Sequence, residues 1–259
     1  MTDGLETLVT GSGEPVTLFL HGMASSIRDT RPFGSGVAGS RLFVHLPGHG
    51  ESPAPPADDA AAWTYDALVD DVLAVADAEQ ATQGLGVSLG SAVLLAAVAG
   101  APRRFRRLVL ALPATVDRPR SPEAVASGLR LADAVDARDQ AEVARLLVEL
   151  QPPAVRRRMD VRTWARRQAD ELSGSAVSRP LRALSGAAPV ASAADLAAVD
   201  VPVLVLAQTD DPVHPVEVAE ELVGQLPNAR LEVSDVPWLW GARDRTREVV
   251  GGFLSPAGG

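Results

Sequence analysis

The chain has 259 residues, with 24 basic against 33 acidic side chains, no cysteine, and a formal net charge of −9 at pH 7. Every basic residue is arginine, so lysine Schiff-base chemistry and phosphate loops ending in Gly-Lys-Ser/Thr are excluded. Thiol nucleophiles, disulfides and cysteine-ligated zinc fall with the missing sulfur, and the acidic balance makes nucleic acid a poor partner.

The first apolar run, Val16 to Leu20, is followed at once by His21-Gly22. Leu42 to Leu46 ends in Pro47-Gly48-His49-Gly50, Leu85 to Val87 ends at Ser88, and Leu108 to Leu112 ends at Pro113. Val201 to Ala207 is a fifth run, and Leu231 to Val233 a weaker sixth. Continuous apolar runs bounded by turn residues mark strands of a sheet buried on both faces. Between them lie helical patterns: Tyr65 to Ala78, with Leu68, Val69, Val72, Leu73 and Ala76 three and four apart, then Ser91 to Ala101, Val216 to Leu226 and Arg243 to Leu254. Strand alternating with helix predicts an α/β fold, a mainly parallel sheet with helices on both faces. The ligand site of such a sheet lies outside the carboxyl ends of its strands.

From about residue 117 to 196 the alternation stops. Helical patterns over Ala124 to Val135, Gln140 to Leu150 and Val155 to Leu172 predict a helical lid, with residues 1–116 and 197–259 forming the core. The longest apolar stretch, Ala92 to Ala101, has ten residues, about half of what a membrane-spanning helix needs. The N-terminal Met1 to Thr10 carries Asp3 and Glu6 and lacks the basic-then-apolar order of a secretory signal. No membrane association is expected, and a cytoplasmic location is.

Gly86-Val87-Ser88-Leu89-Gly90 matches G-x-S-x-G between a predicted strand and a predicted helix. A turn this sharp requires small flanking residues. It lifts the serine hydroxyl above the sheet and aims the next amide, that of Leu89, at the same point.

With its neighbours, this motif resembles the α/β-hydrolase fold family over nearly the whole chain except the lid. His21-Gly22 looks like the family's oxyanion loop, which implies the Met23 amide as the second donor beside Leu89. Gly48-His49-Gly50-Glu51-Ser52 is similar to the family's G-x-G-x-S turn. The resemblance makes Ser88 the nucleophile. Gln208 to Pro215 looks like the acid loop, where the family's G-x-x-D-x-x-x-P spacing selects Asp211 over Asp210. His21 and Trp238 are candidate substrate-binding residues. No metal and no organic cofactor is implied.

The family's catalytic histidine follows the last strand, and here Pro237-Trp238 stands in its place. The chain has four histidines, at 21, 45, 49 and 214, and none beyond. Indole accepts no proton near neutral pH, so Trp238 can wall a pocket but cannot be the base. His214, three residues past Asp211, is the candidate substitute; as an ordinary residue it starts the next helix and faces solvent. His21 and His49 support loop architecture in the family, and His45 reads as a core residue.

In the lid, Arg156, Arg157, Arg158, Arg162, Arg166 and Arg167 surround Trp164. They read as a solvated face interleaved with Asp160, Asp170 and Glu171, or else as a docking face for an acidic carrier protein. Trp164, Trp238 and Trp240 fall in lid or rim segments and suggest a partly aromatic pocket for a hydrophobic carbonyl substrate. Three functions remain open. The first is a hydrolase acting on an ester, thioester or lactone through Ser88 with a degenerate triad. The second is an enzyme using the oxyanion hole for cyclisation, elimination or isomerisation. The third is a non-catalytic ligand-binding protein on the same frame.

Overall fold

The computed structural model describes residues 4–56 and 59–255. Seven strands, β1 (Thr7–Thr10), β2 (Val16–Leu20), β3 (Ser40–Val44), β4 (Gln83–Val87), β5 (Arg107–Ala111), β6 (Val203–Gln208) and β7 (Ala229–Ser234), form one sheet in the order β1-β3-β2-β4-β5-β6-β7. β1 runs antiparallel to β3, and every other pairing is parallel. The helices are α1 (Ile27–Thr30), α2 (Tyr65–Ala78), α3 (Leu89–Gly100), α4 (Pro122–Asp136), α5 (Gln140–Glu149), α6 (Met159–Leu172), α7 (Ser178–Leu184), α8 (Val216–Gln225) and α9 (Arg243–Leu254).

The period of two along each strand divides the core into layers. Leu18, Leu42, Leu108 and Val205 face the layer with α2, α3 and α8, while Phe19, Phe43, Val109 and Leu206 face the layer with α1 and α9. Both faces are therefore covered, and the apolar runs follow from that burial. β1 lacks such a run: three of its four residues are exposed, and it pairs only at the sheet's edge.

The segment between β5 and β6 carries α4 to α7, which share an apolar cluster of their own including Leu131, Leu146, Ala165, Leu172 and Leu181. Ser121 and Asp139 start α4 and α5 by accepting the Ala124 and Glu142 amides, the expected N-capping chemistry. α6 begins at Met159 rather than 155, because Pro153–Val155 forms a 3-10 turn and Arg158 is extended (φ −69°, ψ 142°). α7, broken in pattern by Pro180 and only seven residues long, had no periodicity to expose it. No described helix is long and apolar enough to cross a membrane.

Trp238 follows β7 and is 2% exposed. Its indole N–H donates to the Ala207 carbonyl (2.7 Å), its amide to Gln208 Oε1 (3.0 Å), and its ring packs in the α9-side core layer. The expectation that it walls a pocket is corrected: it is a core side chain. Trp238→His removes most of that buried surface and strands polar nitrogen in its place. Stability measured by denaturant unfolding should fall by about 3–5 kcal/mol; an unchanged midpoint would contradict this packing.

Candidate active site

The turn from β4 to α3 is fixed by contact. Ser88 has φ 52° and ψ −107°, a conformation costly for a residue bearing a Cβ. Tight packing on both sides holds it there. A Cβ on Gly86 would lie 2.2 Å from the Gly90 carbonyl carbon, and one on Gly90 2.5 Å from the Leu20 carbonyl oxygen. Only glycine permits these approaches, which is the physical content of the G-x-S-x-G spacing. The Ser88 amide donates to the Ala111 carbonyl (2.9 Å), and the Gly90 amide to the His21 carbonyl (3.1 Å). The Ser88 turn and the loop after β2 are thereby one unit.

α3 starts at Leu89, two residues before its apolar pattern suggests, so the Leu89 amide stands in the helix's first turn without an intrahelical partner. Among the described residues neither the Leu89 nor the Met23 amide donates a hydrogen bond. Both residues line the cavity that contains Ser88. The positive end of the α3 dipole reaches the same point.

After β6 the chain turns at Asp210, which takes φ 55°. Asp211 Oδ1 then accepts the amides of Val213 (2.8 Å) and His214 (3.1 Å). This local turn, of the kind aspartate side chains favour, carries the imidazole inward instead of into α8, which begins at Val216. His214 Nε2 lies 2.9 Å from Ser88 Oγ, and its Nδ1 lies 3.0 Å from Asp211 Oδ2. The side chain is 14% exposed and that of Asp211 3%. The alternative placement of His214, at a helix start facing solvent, is not adopted. The structure thus brings Ser88, Asp211 and His214 into one hydrogen-bonded chain.

Burial by itself would raise the Asp211 carboxyl. The charge and hydrogen bond of His214, the Val213 amide and the Gln208 side chain outweigh it and hold the group below the ordinary carboxylate range. Gln208 occupies the family's glycine position for a visible reason. Its Nε2 donates to Asp211 Oδ2 (2.5 Å) while its Oε1 accepts the Trp238 amide (3.0 Å), bracing the acid against the chain after β7.

His21, expected to contact substrate, does not line the cavity; it is fully buried. Its Nδ1 donates to the Gly22 carbonyl (2.7 Å) and its Nε2 accepts the Leu46 amide (3.0 Å). His49 accepts the Ala24 amide (3.2 Å) and His45 the Ile27 amide (2.9 Å). His45 also contacts Glu6 Oε2 at 2.6 Å. Three imidazoles thus fasten the backbone around Met23. The rule that could have found this is that buried backbone amides need acceptors, and neutral histidine supplies one.

The cavity encloses about 180 Å³. Its walls are mostly apolar, including Leu112, Leu131, Leu147 and Leu239, with Trp164 and Trp240 in edge-to-face contact at 5.3 Å. Two of the three rim tryptophans therefore line it. Trp164 donates to Asp29 Oδ2 (3.0 Å) and Trp240 to Gln151 Oε1 (2.8 Å). Of the arginines around Trp164, Arg158 pairs with Asp160, and Arg167 with Asp29 and Glu171.

The sequence matches the family model of the alpha/beta hydrolase fold over residues 15–236, and the chain belongs to that family. Among solved structures it is similar to an enol-lactonase from Burkholderia xenovorans (21% identity, 97% of this chain and 96% of that one, TM-score 0.79). It is also similar to a thermophilic esterase from Thermogutta terrifontis (23%, 95% and 90%, 0.74) and to an esterase from Exiguobacterium antarcticum (18%, 96% and 95%, 0.77). No curated protein sequence matches the chain.

The histidine network makes folding pH-dependent. Burial lowers the His49 pKa to about 4, against about 6.5 for an unfolded imidazole. Between those values the unfolded chain binds more protons, so the contribution is complete above about pH 6.5. It is lost as pH falls towards 4, to the extent of about 3 kcal/mol. His49→Gln retains an acceptor for the Ala24 amide and a donor for the Pro47 carbonyl, which lies 3.1 Å from His49 Nδ1, without a titrating ring. Denaturant unfolding from pH 7 to 4 should show the variant losing less stability than the wild type; equal losses would contradict the assignment.

Proposed function

We propose that this protein is a serine hydrolase that cleaves an ester, thioester or lactone. Ser88 is the nucleophile, His214 the general base and acid, Asp211 the carboxylate that orients it, and the Met23 and Leu89 amides form the oxyanion hole. The observation that carries the reading is the imidazole of His214, bonded at one nitrogen to Ser88 Oγ and at the other to Asp211.

Ser88 Oγ attacks the carbonyl carbon as its proton passes to His214 Nε2. Nδ1–H remains on its bond to Asp211, whose charge stabilises the imidazolium. The carbonyl oxygen becomes an oxyanion between the two amides, each worth roughly 3 kcal/mol of barrier. Collapse breaks the bond to the alcohol or thiol, which leaves with the proton from Nε2. Water, deprotonated by the same nitrogen, then releases the acid and regenerates Ser88. The non-hydrolytic reading was motivated by the missing base together with the tryptophan-bearing rim, and the non-catalytic one by the tryptophan at the base position; a ring nitrogen 2.9 Å from the hydroxyl favours the hydrolase over both.

A fluorophosphonate probe should form an adduct that peptide mass mapping places on Ser88. Ser88→Ala should abolish both the adduct and hydrolysis of 4-nitrophenyl esters. Full turnover by Ser88→Ala would overturn the assignment.

A further inference from the structure

Among the described residues, three side chains of Asp, Glu or Arg line the cavity: Asp29, Asp211 and Arg120. Asp211 is bonded to His214 and Gln208. Asp29 accepts from Ser25, Ser26 and Trp164 and pairs with Arg167. Arg120 differs. Its Nε is buried with no hydrogen-bond partner, and no carboxylate among the described residues lies within ion-pair distance. Its neighbour Arg118, by contrast, takes Glu221 on the outer surface.

An unpaired guanidinium facing an apolar cavity is unfavourable in the empty protein. Burial accordingly lowers the Arg120 pKa, with the charge of Asp211 opposing the shift. Tyr65 also lines the cavity, and burial raises its phenol to about 12, so it is a neutral O–H donor beside the cation. A planar fork of N–H donors next to one hydroxyl matches a carboxylate. A phosphate dianion would bring a second negative charge to a cavity with no second free guanidinium among the described residues and with Asp211 nearby.

We propose that Arg120, with Tyr65 beside it, binds a carboxylate carried by the substrate, so that the natural substrate is an acid-bearing ester or lactone such as a half-ester of a short dicarboxylic acid. This rests on the hydrolase reading for the reaction, although the binding site itself does not depend on turnover. Arg120 holds the acid end of the acyl chain, and the apolar lining of the cavity takes the methylenes.

The test has two arms. In the kinetic arm, kcat/KM is compared for the mono-4-nitrophenyl ester of glutaric acid and for 4-nitrophenyl pentanoate, its uncharged counterpart. The wild type should prefer the acid, and Arg120→Gln should reduce the ratio of the two by about 10- to 100-fold, as befits a charge-assisted hydrogen-bond pair. A ratio unchanged in Arg120→Gln overturns the proposal.

In the binding arm, Ser88→Ala protein is titrated calorimetrically with monomethyl glutarate, methyl pentanoate and methyl phosphate. Saturable binding of monomethyl glutarate alone, lost on adding Arg120→Gln, supports the site even if the wild type hydrolyses neither ester. In that case the hydrolase reading fails separately, as absence of fluorophosphonate labelling at Ser88 would show. Equal binding of methyl pentanoate, or tighter binding of methyl phosphate, overturns the carboxylate assignment.

Discussion

The arrangement depends on a single imidazole held at both nitrogens. His214 stands between a hydroxyl 2.9 Å away and a carboxylate oxygen 3.0 Å away, and neither contact survives if the loop after β6 relaxes. That loop is short and over-determined. Asp210 turns it with a positive φ, Asp211 ties two of its amides, and Gln208 fastens Asp211 to the backbone of Trp238. The acid therefore has two duties, shaping the loop that carries the histidine and accepting the histidine's proton donor. In the usual family plan those duties are divided between two strand ends; here they share the end of β6.

The same economy explains Trp238. Under the proposed mechanism the histidine comes from the β6 loop, which frees the position after β7 of a chemical duty, and a large side chain closes the core there. Its indole caps the Ala207 carbonyl at the end of β6. The tryptophan thus braces the strand that presents Asp211 and His214, and it acts on the site through backbone position alone.

Much of the fold was legible because burial on both faces writes itself into unbroken apolar runs. Val16–Leu20 and Tyr65–Ala78 match their patterns residue for residue, and β3 to β7 differ from theirs by shifted or extended ends. β1 escaped because an exposed edge strand has no such run, and α7 because seven residues with a proline carry no period. At the site, Ser88 and Asp211 were named through the resemblance to the family's motifs, and the structure places both against His214. The role of His214 did not follow, since spacing leaves open whether a residue at i+3 from an aspartate continues into a helix or folds back. The left-handed turn at Asp210 decides between them. His21, His45 and His49 were visible as residues, but their task of accepting the amides of Leu46, Ile27 and Ala24 emerges only when strand ends come together in three dimensions.

The central claim is that His214 activates Ser88. Its most direct test is the second-order rate of fluorophosphonate modification in His214→Ala, with and without added imidazole. Loss of a positioned base should slow modification by about 10²- to 10⁴-fold, and imidazole entering the space left by the ring should restore part of it. A His214→Ala protein that is modified at the wild-type rate would show that the hydroxyl owes its reactivity to something else.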